Sequence, residues 1–172
     1  MKKLITLLEN LTNKKVILED SVFKSRKLDE RLLPLKQEFD KNINNIKNST
    51  LTYSGNIYEK ELIILEKFYK NYTIDVYGCV DLNNLKLKTI PIKFGYVMEN
   101  FNISHNELED LNNCPNEVGQ RFDCRYNYLK GLEGCPTIAQ SFWCDKNSVN
   151  FGGGYVRNLC NSKYYDVDDV WL

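Results

Sequence analysis

Several things are scarce in this chain of 172 residues, and each absence closes a class of function. It holds one histidine, His105, and no Cys-x-x-Cys, so the ligand spacing of a zinc site is missing. No cysteine precedes Cys79, and no run of ~20 apolar residues is present to span a membrane. The opening Met1-Lys-Lys-Leu-Ile-Thr-Leu-Leu-Glu9 imitates a secretory leader, but its apolar run stops at Glu9, short of the ~7–15 residues such a leader needs. A cytoplasmic location is therefore expected. Net charge is also lacking, with 23 Lys and Arg against 23 Asp and Glu. Residues 73–172 carry 9 basic against 13 acidic side chains, about −4. Direct nucleic-acid binding, which calls for a basic excess, is not expected.

What the chain does contain is a repeat. Phe122, Cys124, Asn127, Leu129, Leu132, Cys135 and Pro136 reproduce, 21 residues on, Phe101, Ile103, Asn106, Leu108, Leu111, Cys114 and Pro115. Phe142, Cys144 and Asn147 begin a further copy, and Val80, Leu82, Leu87 and Ile90 form an earlier one in which Leu85 stands in place of the asparagine. The pattern apolar-x-apolar-x-x-Asn-x-Leu-x-x-Leu, at a period of ~20–29 residues, is that of a leucine-rich repeat. In it the alternating apolar pair points inward from a short strand. The asparagine amide is expected to bond backbone groups of adjacent coils, making a ladder. Four of the six cysteines (Cys114, Cys124, Cys135 and Cys144) occupy equivalent positions, which favours buried packing over redox or metal chemistry.

Residues 1–72 show no repeat. Leu4, Ile5, Leu7, Leu8 and Leu11 predict a short helix, and Val16–Leu18 a brief strand or link. Leu28, Leu32, Leu35, Phe39, Ile43 and Ile46 form a helical stripe in which Pro34 opens a second helix. Leu51–Tyr53 reads as extended. A helix over about 57–72 presents Tyr58, Leu62, Leu65, Phe68, Tyr69 and Tyr72 as its buried face. Three regions are expected: a helical N-terminal capping region at 1–75, repeats at 76–150, and a C-terminal cap or tail at 151–172. The fold class read from this pattern is an α/β repeat, a short leucine-rich-repeat solenoid of about 3–4 coils of 20–21 residues with a helical N-terminal cap.

Leu87-Lys-Thr-Ile-Pro-Ile-Lys-Phe94, Phe101-Asn-Ile-Ser-His-Asn-Glu-Leu108 and Gly131-Leu-Glu-Gly-Cys-Pro136 resemble phrases of small leucine-rich-repeat proteins of large tailed bacteriophages and prophages. The resemblance spans about residues 76–148. It implies a non-catalytic scaffold and, if the chain is phage-borne, an inhibitor or modulator of a host protein, a defence nuclease included. No catalytic residue, metal or cofactor is expected.

Function is expected on the outward strand positions. Arg121, Asp123, Arg125 and Tyr126 follow one another along one copy, and Trp143, Asp145 and Lys146 along the next, with His105 on the copy before. Arg, Tyr and Trp are the types enriched at protein-binding hot spots. Asp123 and Asp145 are expected to be compensated by the neighbouring cations rather than to perform acid–base chemistry. Gly152-Gly-Gly154 lacks the Lys-Ser/Thr of a phosphate loop and reads as a hinge or turn. A protein-binding module is the leading expectation. Assembly through self-association is the alternative, and the oligomeric state is open.

Overall fold

The computed structural model describes residues 16–19 and 50–166. The helices expected at 4–11 and along 21–46, and the last residues of the tail, lie outside the described residues. Strands β1 (Val16–Glu19) and β2 (Thr50–Ser54) are followed by helix α1 (Glu59–Tyr69) and by β3 (Thr73–Tyr77). Next come β4 (Val80–Asp81), β5 (Lys93–Val97), β6 (Phe101–Asn102), β7 (Glu117–Asp123) and β8 (Ile138–Trp143). Helix α2 (Gly153–Leu159) and strand β9 (Asn161–Asp166) close the described chain.

The nine strands among the described residues join one sheet, and every strand pairing described in it is parallel. The sheet forks. One branch runs β1-β2-β3-β5 into the start of β7, where Val97 faces Val118. The other runs β4-β6 into the end of β7, where Phe101 faces Phe122. β8 and β9 then continue both branches, with Val118, Ala139 and Ser162 in one register and Phe122, Phe142 and Tyr165 in the other.

This architecture corrects the expected leucine-rich-repeat solenoid with a helical cap. The fold is α/β, built on one parallel sheet with two helices among the described residues. Strands β1, β2 and β3 extend that sheet through the segment assigned to the cap. The physical reason is that a 20–21-residue period reports only how often the chain returns to the same line. Any ladder of parallel strands with uniform crossovers gives that period, and strands outside the repeat can join the same edge without sharing it.

Parallel strands covered on their faces bury their side chains thoroughly. Leu51, Tyr53, Ile74 and Val76 of the early strands are buried, as are Val80, Leu82, Phe101, Ile103, Phe122, Cys124, Phe142 and Cys144 along the repeat. Phe94, Phe101, Phe122 and Phe142 form an aromatic column with successive centroids 5.1, 5.9 and 5.1 Å apart. α1 contributes Leu62 and Leu65 to the core, with Tyr69 and Tyr72 packed at its edge. Tyr58, expected on that buried face, is exposed and precedes the helix, where its N–H donates to the Glu61 carboxylate at 3.1 Å. Gly153 and Gly154 open α2 instead of forming a hinge. At Gly119 on β7 a side chain would strike the Met98 carbonyl, so the backbone just after β5 approaches β7 closely there. No helix among the described residues is long and apolar enough to cross a membrane.

Candidate functional site

The asparagines fix the line on which the candidate residues stand. Asn106 Oδ1 accepts from the Leu85 and Leu87 N–H groups, both at 3.0 Å, and its Nδ2 donates to the Leu82 and Ile103 carbonyls at 2.8 and 2.9 Å. Asn127 accepts from Leu108 N–H at 3.1 Å and donates to the Ile103 and Cys124 carbonyls at 3.0 and 3.1 Å. Asn147 repeats the arrangement with Leu129 N–H at 3.3 Å and the Cys124 and Cys144 carbonyls at 3.3 and 2.7 Å. Each amide therefore ties the end of its own strand to the preceding copy.

The residue just before each ladder position has a left-handed backbone: Asn84, His105, Tyr126 and Lys146 at φ of 56, 55, 55 and 58°. Asparagine and histidine tolerate that region; tyrosine and lysine enter it less readily. The sequence signal was present, since these positions share the repeat spacing, but residue type alone does not reveal it. The turn swings His105 and Tyr126 outward and stacks them, ring centroids 4.3 Å apart and planes 10° from parallel.

Beside this pair lies a compact ionic and aromatic cluster. The Trp143 ring has two guanidiniums on it, the Arg121 Cζ at 4.3 Å and the Arg125 Cζ at 4.2 Å from its centroid. Each such contact contributes ~0.5–2 kcal/mol, more as it is shielded from water. Arg125 grips Asp123 with two bonds, Nε to Oδ1 at 3.0 Å and Nη2 to Oδ2 at 2.9 Å, and its Nε lies 3.7 Å from Asp145 Oδ1. Asp123 is buried, so this fork compensates a carboxylate with little access to water. Arg121, Arg125, Trp143 and Asp145 are half-buried, while His105, Tyr126 and Lys146 are exposed.

The structure thus brings Arg121, Asp123, Arg125, Trp143 and Asp145 into one cluster, with His105 and Tyr126 stacked at its side and Lys146 following Asp145 on the next copy. Sequence reasoning missed that both guanidiniums lie over one indole, which depends on how the Arg121 and Arg125 side chains reach across to the neighbouring strand. Trp143 pairs in register with Asp166, so β9 runs directly beside it.

The six cysteines are free thiols. Burial raises the Cys114 and Cys124 thiols well above their ordinary value. Burial likewise pushes Cys135 up to about 12 and Cys160 to about 11. A nucleophile or metal ligand needs the thiolate, which these environments oppose. Among the described residues no three His, Cys, Asp or Glu side chains converge as a metal site. A shallow cavity of about 420 Å³ lies between Glu109, Asp110, Lys130, Glu133 and Tyr155, with its Lys130–Glu109 pair closed at 2.6 Å. Compared with family models, curated proteins and solved structures, the chain matches none.

Proposed function

We propose that the protein is a non-enzymatic, cytoplasmic protein-binding module that docks a partner on the face carrying Tyr126, Arg121, Arg125 and Trp143. The observation that supports this reading is the indole with two guanidiniums over it. Two arginines, a tryptophan and a stacked His105–Tyr126 pair are gathered on adjacent strands and held in defined orientations before any partner arrives. Preorganised aromatic and arginine side chains lose little conformational entropy on binding, which is why they dominate interface energetics. The phage resemblance supplies the partner class, a host protein such as a defence nuclease. No membrane or cofactor role enters the proposal.

Affinity capture from host lysate tests it, with wild type beside a Tyr126→Ser/Trp143→Ala variant and a Lys130→Ala control on the Glu109 side. The expected result is a partner retained by wild type and control and lost by the double variant. Equal capture by all three would remove this face from consideration.

Self-association is the second reading, and one observation favours it. β9 pairs only with β8, leaving a sheet edge among the described residues, and unpaired edges invite strand addition. Light scattering over a range of concentrations separates the two, since a concentration-independent monomer rules out assembly.

A further inference from the structure

The two guanidiniums on Trp143 are not equivalent. Arg125 is neutralised by its fork on Asp123 and by Asp145. Arg121 takes part in no ion pair among the described residues. Its Nε is shielded from solvent and donates no hydrogen bond among the described residues. Guanidinium does not give up its proton, so the charge persists whatever the surroundings. Arg121 is therefore a partly dehydrated cation held over the indole.

From this we infer that Arg121 is an anchor for a carboxylate, an Asp or Glu side chain on the partner protein, with Trp143 holding the guanidinium in place and the exposed Tyr126 ring beside it. The inference rests on the docking-face reading above. A carboxylate matches the remaining guanidinium donors in shape and charge, and it restores a bond to a group that has lost part of its hydration. The surroundings favour one carboxylate over a nucleic-acid backbone. Asp123 and Asp145 are both engaged with Arg125, which leaves Arg121 as a single site of positive charge, and residues 73–172 carry 9 basic against 13 acidic side chains. A polyanion would meet that negative field; a single acidic side chain seated on Arg121 need not.

The test is selection from a displayed library of random dodecamer peptides against folded wild type, Arg121→Gln and Trp143→Ala. Wild type is expected to enrich peptides bearing Asp or Glu. A selected peptide should bind Arg121→Gln about tenfold more weakly, and changing its acidic residue to the amide should cost wild type the same factor, about tenfold, but Arg121→Gln almost nothing. Peptides without acidic residues that need Trp143 but not Arg121 would overturn the anchor and leave the docking face standing. Enrichment indifferent to both substitutions, or no enrichment, overturns both. A single-stranded oligonucleotide that binds through Arg121 and displaces the peptide would overturn the carboxylate assignment. Should Arg121→Gln melt below the assay temperature, Arg121→Lys takes its place. It keeps the charge without the planar fork, and an unchanged peptide affinity there would also count against the anchor.

Discussion

The sheet is crossed in two different ways, and the register separates them. Where a helix intervenes the chain returns after 23 residues: Thr50 faces Thr73 across α1, and Ile138 faces Asn161 across α2. Where none does it returns after 20 or 21, as from Thr73 to Lys93, Tyr96 to Glu117 and Glu117 to Ile138. A helix satisfies its own backbone groups and covers the core with one apolar stripe, so its crossover needs less help from polar side chains, as in the α2 crossover, where Asn147 bonds the Cys144 carbonyl before the helix begins. A helix-free crossover leaves turn N–H and C=O groups near the core without such partners. The Asn106 and Asn127 amides supply those partners, and both side chains are buried to do it. The comparison teaches that the asparagine ladder replaces what the helices provide at either end.

The sharpest way to break that comparison is Asn106→Leu. The substitution keeps the volume but orphans the N–H groups of Leu85 and Leu87 and the buried Leu82 carbonyl, while the Ile103 carbonyl loses one of its two amide donors and keeps Asn127. At ~1 kcal/mol or more for each lost partner, unfolding stability should fall by ~3–5 kcal/mol. Asn147→Leu should cost visibly less, because Asn147 is only partly buried and two of its three ladder bonds are stretched to 3.3 Å. Urea denaturation of both variants checks the ranking, and equal losses would mean that the ladder is not graded by burial.

How much of this was legible beforehand follows from the same distinction. The helix-free crossovers have a fixed composition, so Phe101, Ile103, Leu108, Phe122, Leu129, Asn106 and Asn127 could be assigned to the interior from spacing, and all are buried. The α1 crossover has no repeating letters, and its strands β2 and β3 look like ordinary short apolar runs. Leu51–Tyr53 reads as extended, yet nothing local says that it pairs with residues 73–77, because pairing is a non-local choice. The fold class failed for that reason. At the candidate site, spacing places Arg121, Arg125, Tyr126 and Trp143 on adjacent copies. It does not show that both guanidiniums fold onto one indole, nor that Asp123 sinks to near-complete burial, since both depend on side-chain rotamers.

Alkaline pH should sharpen the comparison by a smaller amount. Cys135 lies in a helix-free crossover and Cys160 directly after α2, and burial raises both thiols above their ordinary value, to about 12 and about 11. The unfolded chain releases these protons near pH 9 and the folded chain holds them. Stability is then complete below about pH 9 and falls as pH rises toward the folded values. By pH ~10 each thiol should cost ~1 kcal/mol, less for any residual access to water. Melting temperatures followed from neutral to alkaline pH should drop less steeply for Cys135→Ala than for wild type. Identical slopes would mean that Cys135 is solvated in the native state.

The smallest effect concerns α2, the weaker of the two helical crossovers. α1 spans eleven residues and is supported at its start by Glu61; α2 spans seven and begins with two glycines. Glycine in a helix forfeits ~1 kcal/mol relative to alanine, because its backbone has more freedom to lose. Gly154 is exposed, its φ is not in the left-handed region, and a Cβ there would meet nothing within 4 Å. Gly154→Ala should therefore stabilise the protein by ~0.5–1 kcal/mol, read as a small rise in melting temperature. It should also slow amide exchange at Cys160, whose N–H bonds the Val156 carbonyl at 2.9 Å and closes the helix onto β9. If α2 instead opens as one unit with β9, protection should rise together along Asn161–Asp166, whereas a gain confined to Tyr155–Cys160 would show that the helix frays independently of the strand it feeds.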